Sequence, residues 1–422
     1  MLDLYREFEW RDMLYGGTEG VRDALTAGPV TGYIGFDPTA SSLHVGSLLP
    51  VMALARLQRA GHSAIAIAGG GTGLIGDPSG KSQERTLLSP EQVQQHLEGI
   101  KGQLAQFLDF DARANPARIV NNADWLATID LMSFLRDVGK HFTVNVMLAK
   151  ESIKRRVESD DGISFTEFSY LLLQAYDFLV LFDRYGCTLQ MGGSDQWGNI
   201  TAGCDLVRKL RAAKVHGLVL PLVTTSAGVK FGKTEAGAVW LDPARTSPFH
   251  FYQFWLNTDD RDVVRYLKFF TFLERETIDE LAHAVGEKPE AREAQRALAR
   301  EVTSLVHGAD QVARAERAAS VLFNESLTSA AVDDVLMVLA DAPSTEMTLP
   351  DGGIPLVELL ATVKLTTSRS EATRLVKSGG VYVNNVRARD EKARLTIDDA
   401  IGGEVIVLRK GRKDQHVVRI RR

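Results

Sequence analysis

Two short segments, far apart in the chain, carry residues suited to binding a polyphosphate. In the first, residues 38–47, a predicted strand is followed by the start of a helix that contains His44 and Gly46. The second reads Lys230-Phe231-Gly232-Lys233-Thr234 and is predicted to be a flexible loop. Helix N-termini and lysines favour phosphate oxygens, and glycine permits close approach of a nucleotide. Together the two segments predict that ATP is bound and cleaved here. A helix-capping His and an ordinary solvated turn are the alternative interpretations of the two motifs.

Residues 192–199 form a glycine-rich turn between a predicted strand and a predicted helix. The glycines would let a ligand approach the backbone, and Asp195 can accept hydrogen bonds from ribose hydroxyls. A simple helix cap by Ser194 or Asp195 is the alternative interpretation. Successive glycines are more than a cap requires, so the pattern favours a nucleotide.

Tyr170, Gln174 and Asp177 are spaced to share one face of a predicted apolar helix over 165–184. Polar groups on such a face are costly unless they are hydrogen bonded. They either bind a small polar ligand or form a structural network, and the spacing leaves both interpretations open. Asp77 follows Gly76 after another strand, where it can pair with an ammonium group or form an Asp-Pro turn.

The elements that would position these residues alternate between strand and helix. Strands are predicted at 30–36, 63–68, 118–120, 188–191 and 218–223. This alternation predicts the α/β class, with a Rossmann-like, doubly wound, mostly parallel sheet. Ligands of such sheets bind beyond the carboxyl ends of the strands. The segments 33–37, 69–77 and 190–195 all fall at such ends and are expected to converge on one crevice.

The domain organisation follows from where this alternation stops. We predict an α/β domain over residues 1–225 and a lysine loop with its connection over 226–247. A helical domain is predicted over 248–325. It is followed by a weakly structured linker with at most one helix over 326–352 and by a small α+β module over 353–422.

The net charge of −5 over 422 residues hides an asymmetry. Residues 353–422 hold 15 Lys and Arg against 8 Asp and Glu, a net of +7, which leaves −12 for the rest. A basic module on an acidic body indicates contact with a polyanion, although surface charge for solubility is an open alternative.

Two features of the chain predict its compartment. Cys187 and Cys204 have neither metal-site nor disulfide spacing, which favours a reducing cytosol. The N-terminus lacks a signal-peptide pattern, and no apolar run is read as a membrane span.

These motifs resemble those of bacterial-type tyrosyl-tRNA synthetases, which are class I aminoacyl-tRNA synthetases. His-Val-Gly-Ser at 44–47 resembles the HIGH motif, and 230–234 resembles KMSKS. Gly-Ser-Asp-Gln-Trp-Gly-Asn at 193–199, with the polar helix face, is typical of the tyrosine enzymes. Residues 367–372 and 379–384 are similar to an S4-type RNA-binding domain. Ser47 departs from the family pattern, since many members have a second His there.

The resemblance implies a two-step reaction. The carboxylate of tyrosine attacks the α-phosphate of ATP, and the tyrosyl group then passes to the 3′ end of its tRNA. The carboxylate is already ionised, so catalysis is positioning and charge stabilisation. Magnesium would accompany ATP without a protein ligand cage.

The resemblance also assigns roles to residues, which we state as expectations. The substrate phenol would bind Tyr33 and Asp177, and the ammonium group would bind Asp77, Tyr170 and Gln174. Gln190 would also line the tyrosine pocket, whereas Asp37 and Gln196 would lie on the ATP side, with Asp195 on the ribose. The phosphates would be held by Thr39, His44, Lys230, Lys233 and Thr234, and ATP would also contact Gly35, Gly46, Ser47 and Gly192.

The family pattern further implies the partners of the chain. The terminal module would hold the tRNA backbone through Arg369, Arg374, Lys377, Arg387 and Arg389. The helical domain would approach the anticodon. An insertion near 130–165 would form a symmetric homodimer, and the protein would be cytoplasmic.

Three other functions compete with this interpretation. A tryptophanyl-tRNA synthetase is disfavoured because Asp177 beside Tyr33 suits a phenol better than an indole. An RNA-binding protein on an inactive scaffold is disfavoured by the intact His44 and lysines. A nucleotidyltransferase without a tRNA substrate would need neither the S4-like module nor the helical domain.

Overall fold

The structure, a computed structural model, describes residues 3–79, 87–158, 162–228, 231–234, 237–323, 326–328, 330–340, 342–411 and 414–421. The chain divides into two compact units, Met1–Arg245 with Trp255–Val306, and Thr246–Phe254 with His307–Arg422.

The first unit is built on a six-stranded sheet. Its strands are β1 (Gly16–Gly17), β2 (Thr31–Phe36), β3 (Ser63–Ala68), β4 (Arg118–Asn121), β5 (Cys187–Gly193) and β6 (His216–Leu220). They lie in the order β1-β6-β5-β2-β3-β4, and every pair except β1 with β6 is parallel. The strand order reverses between β2 and β5, which is where a doubly wound sheet opens a ligand crevice. The predicted fold class is confirmed.

Helices cover both faces of this sheet. The helices of this part of the chain are α1 (Leu4–Trp10), α2 (Val21–Ala27), α3 (Leu48–Arg59), α4 (Pro90–Leu104), α5 (Ala123–Leu126), α6 (Leu131–Asp137), α7 (Val144–Leu148), α8 (Glu151–Val157), α9 (Phe165–Tyr185) and α10 (Trp197–Arg211). A Cβ on Gly32 would lie 2.8 Å from Leu57 of α3, whereas the next residue, Tyr33, packs against Phe178 of α9. Because successive strand residues point to opposite faces, α3 and α9 lie on opposite sides of the sheet.

Contrary to the prediction from sequence, helix α9 is long and apolar enough to cross a membrane by length and composition. It is a core helix of the first unit, since Leu171, Phe178 and Leu181 are buried in the cluster that also holds Tyr33. The same helix carries the polar residues 170, 174 and 177.

The lysine-loop segment and the helices that follow complete this unit. They comprise β7 (Lys233–Thr234), β8 (Gly237–Ala238), α11 (Pro248–Leu256, which runs into both units), α12 (Asp260–Phe270), α13 (Arg275–Glu287) and α14 (Glu293–His307). The helix-rich character predicted for 248–325 is observed, but the boundary between the compact units falls inside that range.

The second unit contains α15 (Ala309–Phe323), α16 (Val332–Val338), β9 (Ser344–Met347), β10 (Ile354–Pro355), α17 (Leu356–Thr362), α18 (Arg369–Lys377), β11 (Val381–Val383), β12 (Val386–Arg387), β13 (Arg394–Leu395), β14 (Val405–Lys410) and β15 (Asp414–Ile420). Its five-stranded sheet has the order β12-β11-β14-β15-β9. Helices α17 and α18 pack on one face, and α16 packs on the other.

The prediction that 326–352 is a linker is wrong for its second half. Strand β9 pairs in parallel with β15, from Ser344 opposite Val417 to Met347 opposite Ile420. The predicted helix near 332–339 is present as α16 and packs on the same sheet. This segment is therefore part of the module that was predicted to start at 353.

Candidate active site

Tyr33 is buried in β2 on the side of the sheet that α9 covers. Its ring packs edge-on against Phe178, with centroids 5.3 Å apart. The hydroxyl is buried, and no described residue hydrogen-bonds to it. Burial, and secondly the charge of Asp177, raises the pKa of Tyr33 well above its usual value, so the phenol keeps its proton. A buried donor without a partner costs about 1–3 kcal/mol, and a polar ligand would remove that cost.

Asp177 lies on α9, the helix that covers Tyr33, and it is buried. Its Oδ1 accepts a hydrogen bond from Trp125 Nε1 at 2.7 Å, and its Oδ2 accepts one from Asn122 Nδ2 at 3.0 Å. Burial raises the pKa of the carboxyl from 3.8 to about 7, although the two hydrogen bonds act in the opposite direction. Asp177 is therefore a fixed hydrogen-bond acceptor that changes charge near neutral pH.

Sequence reasoning missed both partners of Asp177. Asn122 directly follows β4, and Trp125 lies in the short helix α5 after it. The available signal was their position just beyond the end of a predicted parallel strand, where the other site residues also fall.

Asp37 joins two polar groups at the end of β2. Its Oδ1 accepts a hydrogen bond from Thr72 Oγ1 at 2.7 Å, and its Oδ2 accepts one from Tyr170 O–H at 2.8 Å. Burial, followed by the charge of Asp37, raises the pKa of Tyr170 well above its usual value. Tyr170 and Asp37, which were assigned to different parts of the site, are directly bonded.

Asp77 belongs to a second polar network. Gln196 Nε2 donates to Asp77 Oδ2 at 2.7 Å, and Gln174 Nε2 donates to Gln196 Oε1 at 3.3 Å. Asn199, which sequence reasoning did not select, donates to Gln174 Oε1 at 3.0 Å. The structure thus brings together three predicted residues, of which Asp77 and Gln196 are 119 positions apart in sequence.

Gln190 lies beside Tyr33, since the two residues are register partners on β5 and β2. Its side chain is buried, and its Oε1 atom has no hydrogen-bond partner among the described residues. Two buried polar atoms without partners, one donor and one acceptor, therefore lie at the switch point of the sheet. A polar ligand bound at this point would supply the missing partners.

His44 caps a short 3₁₀ turn, Val45–Ser47, that leads into α3. Its Nδ1 accepts a hydrogen bond from the backbone N–H of Gly46 at 3.0 Å. Because this backbone group can only donate, the neutral imidazole carries its proton on Nε2, which is then a donor. A Cβ on Gly46 would lie 2.7 Å from His44 Cε1, so glycine is needed at that position.

The lysine loop lies against this turn. Gly232 has a φ of +82°, and a Cβ there would lie 2.7 Å from Val45 Cγ2 and 3.2 Å from the Gly46 nitrogen. Phe231 is buried and stacks on Phe270 of α12, with centroids 5.4 Å apart. The two predicted phosphate-binding segments therefore meet. Lys230 lies outside the described residues, as do the side chains of Lys233 and Thr234.

The remaining ATP-site candidates differ in how far they are exposed. Gly35 and Thr39 are exposed, and nothing lies within 4 Å of a Cβ built on Gly35. A Cβ on Gly193 would lie 2.5 Å from Asp195 Oδ1, so this glycine makes room for the carboxylate. The other two candidates, Gly192 and Ser47, are buried and partly buried respectively.

The five RNA-binding candidates are exposed side chains of the second unit. Arg369 forms an ion pair with Glu358 at 2.9 Å, and Lys377 forms one with Glu391 at 3.3 Å. Arg387 lies over the Tyr382 ring, with its Cζ 5.7 Å from the centroid. Of the other two, Arg374 lies in α18 and Arg389 follows β12.

Comparison with known proteins identifies the family. The profile for class I tRNA synthetases (W and Y) matches residues 26–324, and that for the C-terminal domain of SYY-like tyrosine–tRNA ligases matches 334–418. A tyrosine–tRNA ligase of Roseiflexus castenholzii is 56% identical over 100% of both chains. The chain belongs to the tyrosyl-tRNA synthetase family. A tyrosine–tRNA ligase of Geobacillus kaustophilus is 51% identical over 99% of this chain and 100% of its own length.

Solved structures agree with this assignment. A C-terminally truncated mitochondrial tyrosyl-tRNA synthetase of Aspergillus nidulans superposes with a TM-score of 0.69 at 33% identity. The match covers 76% of this chain and 95% of the other. A tryptophanyl-tRNA synthetase of Encephalitozoon cuniculi matches at 14% identity and a TM-score of 0.53, which shows a shared fold alone. The tyrosine branch, not the tryptophan alternative, holds the close full-length relatives.

Proposed function

We propose that the chain activates L-tyrosine with ATP, releases pyrophosphate, and transfers the tyrosyl group to the 3′ end of tRNA(Tyr). The observation that carries this proposal is the buried Tyr33 hydroxyl, which has no hydrogen-bond partner among the described residues and whose pKa is raised by burial and also by the charge of the buried Asp177 on α9. A phenol that donates to Asp177 and accepts from Tyr33 would satisfy both groups.

The same pocket explains rejection of phenylalanine. Without a substrate hydroxyl, the Tyr33 donor would stay buried and unpaired, and Asp177 would lose its ligand hydrogen bond. Sites built to bond a substrate hydroxyl reject the analogue that lacks it, and a selectivity of about 10⁵-fold is already known for tyrosyl-tRNA synthetases. An indole, which offers only an N–H donor, would leave Tyr33 unsatisfied.

The ammonium group of tyrosine would bind the polar network of Asp77, Gln174 and Tyr170. Asp77 provides a carboxylate in a network with Gln196 and Ser79. Tyr170 is turned toward Asp37 by a 2.8 Å hydrogen bond, which leaves its phenolic oxygen able to accept a bond from an ammonium group. Gln190 and Asp37 would complete the lining.

The phosphates of ATP would lie between the His44 turn and the lysine loop. The Nε2–H of His44 is a donor for phosphate oxygens, and Thr39 is exposed nearby in sequence. Lys230, Lys233 and Thr234 would approach from the loop as charge develops on pyrophosphate. Gly35, Gly46, Ser47 and Gly192 would contact the nucleotide, with Asp195 on the ribose.

Magnesium would arrive with ATP. Within the described part of the chain, no three His, Cys, Asp or Glu side chains are grouped to hold a metal ion. An ion that arrives with ATP would be coordinated mainly by phosphate oxygens and water, as Mg²⁺ commonly is. Its charge would offset the negative charge of the phosphates.

The second unit would hold tRNA through its basic surface. Residues 353–422 carry a net charge of +7, and Arg369, Arg374, Lys377, Arg387 and Arg389 are exposed there. Such contacts recognise backbone phosphate and shape, so binding should weaken steeply with salt.

The protein would act as a homodimer in the cytoplasm. Of the 14 large apolar side chains that are exposed among described residues, eight lie within 131–165. They include Met132 at 74% and Phe165 at 78% exposure. Apolar surface this concentrated marks an interaction site, and the predicted insertion is where it falls.

The test is charging of a tRNA(Tyr) transcript with labelled tyrosine, with Arg374→Glu and Arg389→Glu as reporters of the basic surface. Tyrosyl-tRNA should form with the unaltered chain and fall in both variants. Equal charging of a tRNA for another amino acid would contradict the proposal.

A further inference from the structure

Trp240 lies directly against His44. The two residues form an antiparallel β-bridge, flanked by hydrogen bonds from Val45 N–H to Val239 O and from Leu241 N–H to Leu43 O, both 2.9 Å. The indole and imidazole rings meet edge to face, with centroids 5.9 Å apart and planes at 72°. The ring of His44 is therefore held from two directions, by Gly46 N–H at Nδ1 and by the Trp240 ring.

Arg245 packs on the face of Trp240. Its guanidinium carbon lies 3.3 Å from the centre of the indole ring, which is close contact for a cation and an aromatic face. Arg245 itself is exposed, so its guanidinium group shields this face of the indole from solvent. The stack fixes the orientation of the ring that contacts His44.

The same backbone segment is bonded to the lysine loop. Val239 N–H donates to Gly232 O at 3.1 Å, and Gly237–Ala238 pairs with Lys233–Thr234. Only one residue separates this hairpin from Trp240. A shift of the loop would therefore reach the Trp240 ring, and through it the imidazole.

We propose that Trp240 is a positioning residue for adenylate formation, which orients His44 and links its orientation to the lysine loop. This inference rests on the proposed role of His44 at the phosphates. The Gly46 bond fixes which nitrogen of the imidazole carries the proton, and Trp240 restricts where that N–H points. Catalysis that depends on preorganised donors is sensitive to such restriction.

The first test measures single-turnover formation of tyrosyl-adenylate by the full-length chain. Trp240→Ala should slow this step by roughly 10- to 100-fold, since a 1 Å misplacement can cost that much. The dissociation constant for tyrosine should stay within about 2-fold, since the tyrosine pocket is untouched. Trp240→Phe, which keeps an aromatic edge contact, should restore most of the rate. Weakened tyrosine binding with an unchanged rate would overturn the proposal.

The decisive test is a double-mutant cycle with His44. In a His44→Ala background, Trp240→Ala should cost less than about 3-fold further, because the residue acts through an imidazole that is no longer present. Equal losses in both backgrounds would overturn the inference. If His44→Ala alone leaves the rate unchanged, the proposed role of His44 fails, which is a separate result.

Trp10 provides a matched control. It is also a half-buried tryptophan under an arginine, with Arg11 Cζ 4.5 Å from its ring, but it lies in α1. Trp10→Ala should leave adenylate formation unchanged, and a loss equal to that of Trp240→Ala would overturn the inference. Should Trp240→Ala fail to fold, Trp240→Leu keeps the apolar bulk and should still be slow, whereas a wild-type rate would contradict the proposal.

Discussion

Trp125 donates its indole N–H to the carboxylate of Asp177 at 2.7 Å, so the acceptor for the substrate phenol is held in place before any ligand arrives. A bond from Asn122 to the other oxygen removes the remaining freedom of the carboxyl group. A ligand that binds there does not have to order the Asp177 side chain, so no binding free energy is lost in that step. The pocket is therefore pre-organised around one acceptor, and its chemistry can be tested one group at a time.

Replacing Asp177 with alanine should reduce selection of tyrosine over phenylalanine. A hydrogen bond to a charged group is worth about 1.5–3 kcal/mol, which corresponds to roughly 10- to 100-fold in selectivity. The measurement is kcat/KM for each amino acid in pyrophosphate exchange. The change also leaves Trp125 and Asn122 without their acceptor, so unfolding should become easier.

A matched control for this change is Asp183→Ala on the same helix. Asp183 is surface-exposed and pairs with Arg211 at 2.6 Å. Its removal should leave selectivity unchanged. Undiminished preference for tyrosine in Asp177→Ala would contradict the pocket assignment.

Tyrosine binding should weaken as the pH falls below about 7. The raised pKa of Asp177 means that its carboxyl becomes neutral there, and a neutral carboxyl is a weaker acceptor for the phenol. Equilibrium titrations between pH 5.5 and 8.5, about one unit and more on each side of that pKa, should show this trend for tyrosine. Phenylalanine, which lacks the hydroxyl, should show little of it. The dependence should vanish in Asp177→Asn, and its persistence would mean that another group titrates.

The contribution of Asp177 to folding stability depends on pH in the opposite direction. Asp177 keeps its proton to higher pH in the folded chain than in the unfolded chain, so its contribution to the free energy of unfolding falls as pH rises from 3.8 to about 7. Denaturant titrations of wild type and Asp177→Asn over that window should diverge, with the variant gaining in relative stability toward neutral pH.

Gly232→Ala should slow adenylate formation by roughly 10-fold or more while leaving the affinity for tyrosine unchanged. Its Cβ would meet Val45 at 2.7 Å and the Gly46 backbone at 3.2 Å, so the loop and the His44 turn could not keep their contact. Misplaced phosphate ligands cost rate more than ground-state binding. Single-turnover kinetics with saturating ATP report the rate.

Gly228→Ala separates this contact from backbone strain. Gly228 also has a positive φ, +75°, yet nothing lies within 4 Å of its Cβ position. Both substitutions carry a left-handed backbone penalty, but only Gly232→Ala adds a clash. Equal losses of rate would show that strain alone, not contact with the His44 turn, explains the result.

Charged substitutions in the insertion should dissociate the dimer. Met132→Glu with Phe165→Glu places two carboxylates on apolar side chains that are 74% and 78% exposed in the single chain. Sedimentation velocity should show the monomer in place of the dimer. Ile397→Glu, an exposed apolar residue of the second unit, should leave the dimer intact. A monomeric wild type would contradict this account.

Removing residues 326–422 should leave tyrosine-dependent pyrophosphate exchange and abolish tRNA charging. The cut must precede β9, because a chain ending at 350 would keep Ser344–Met347 without its partner strand. An unpaired strand edge promotes aggregation, so the longer truncation product should be the less soluble one. Loss of exchange in the shorter chain would mean that the second unit supports the catalytic unit.

Sequence reasoning succeeded where a pattern was local. The strand over 30–36 and the polar face of α9 are visible as periodicity, and strand ends predict where Asp37, Asp77 and Asp195 fall. Asn-Asn pairs favour tight hairpin turns because asparagine tolerates positive φ, and both Asn384 and Asn385 have positive φ in the structure.

The features that were not predicted from the sequence depend on contacts between residues that are far apart in the chain. Strand β9 has only four residues, and its partner strand β15 lies about 70 residues further along the chain. Such a short segment shows no clear alternation of apolar and polar residues from which a strand could be predicted. Asn122 and Trp125 look like ordinary loop residues until the fold carries them to Asp177, 55 and 52 positions further on. They meet Asp177 only in the folded core, and a short window of sequence does not show which residues will be buried together.

The central claim is that this site forms tyrosyl-adenylate. The most direct measurement is exchange of labelled pyrophosphate into ATP with each of the twenty amino acids in turn and no tRNA present. The account predicts exchange with tyrosine and only background exchange with phenylalanine and tryptophan. Exchange with tryptophan, or none with any amino acid, would contradict the roles given to Tyr33 and Asp177.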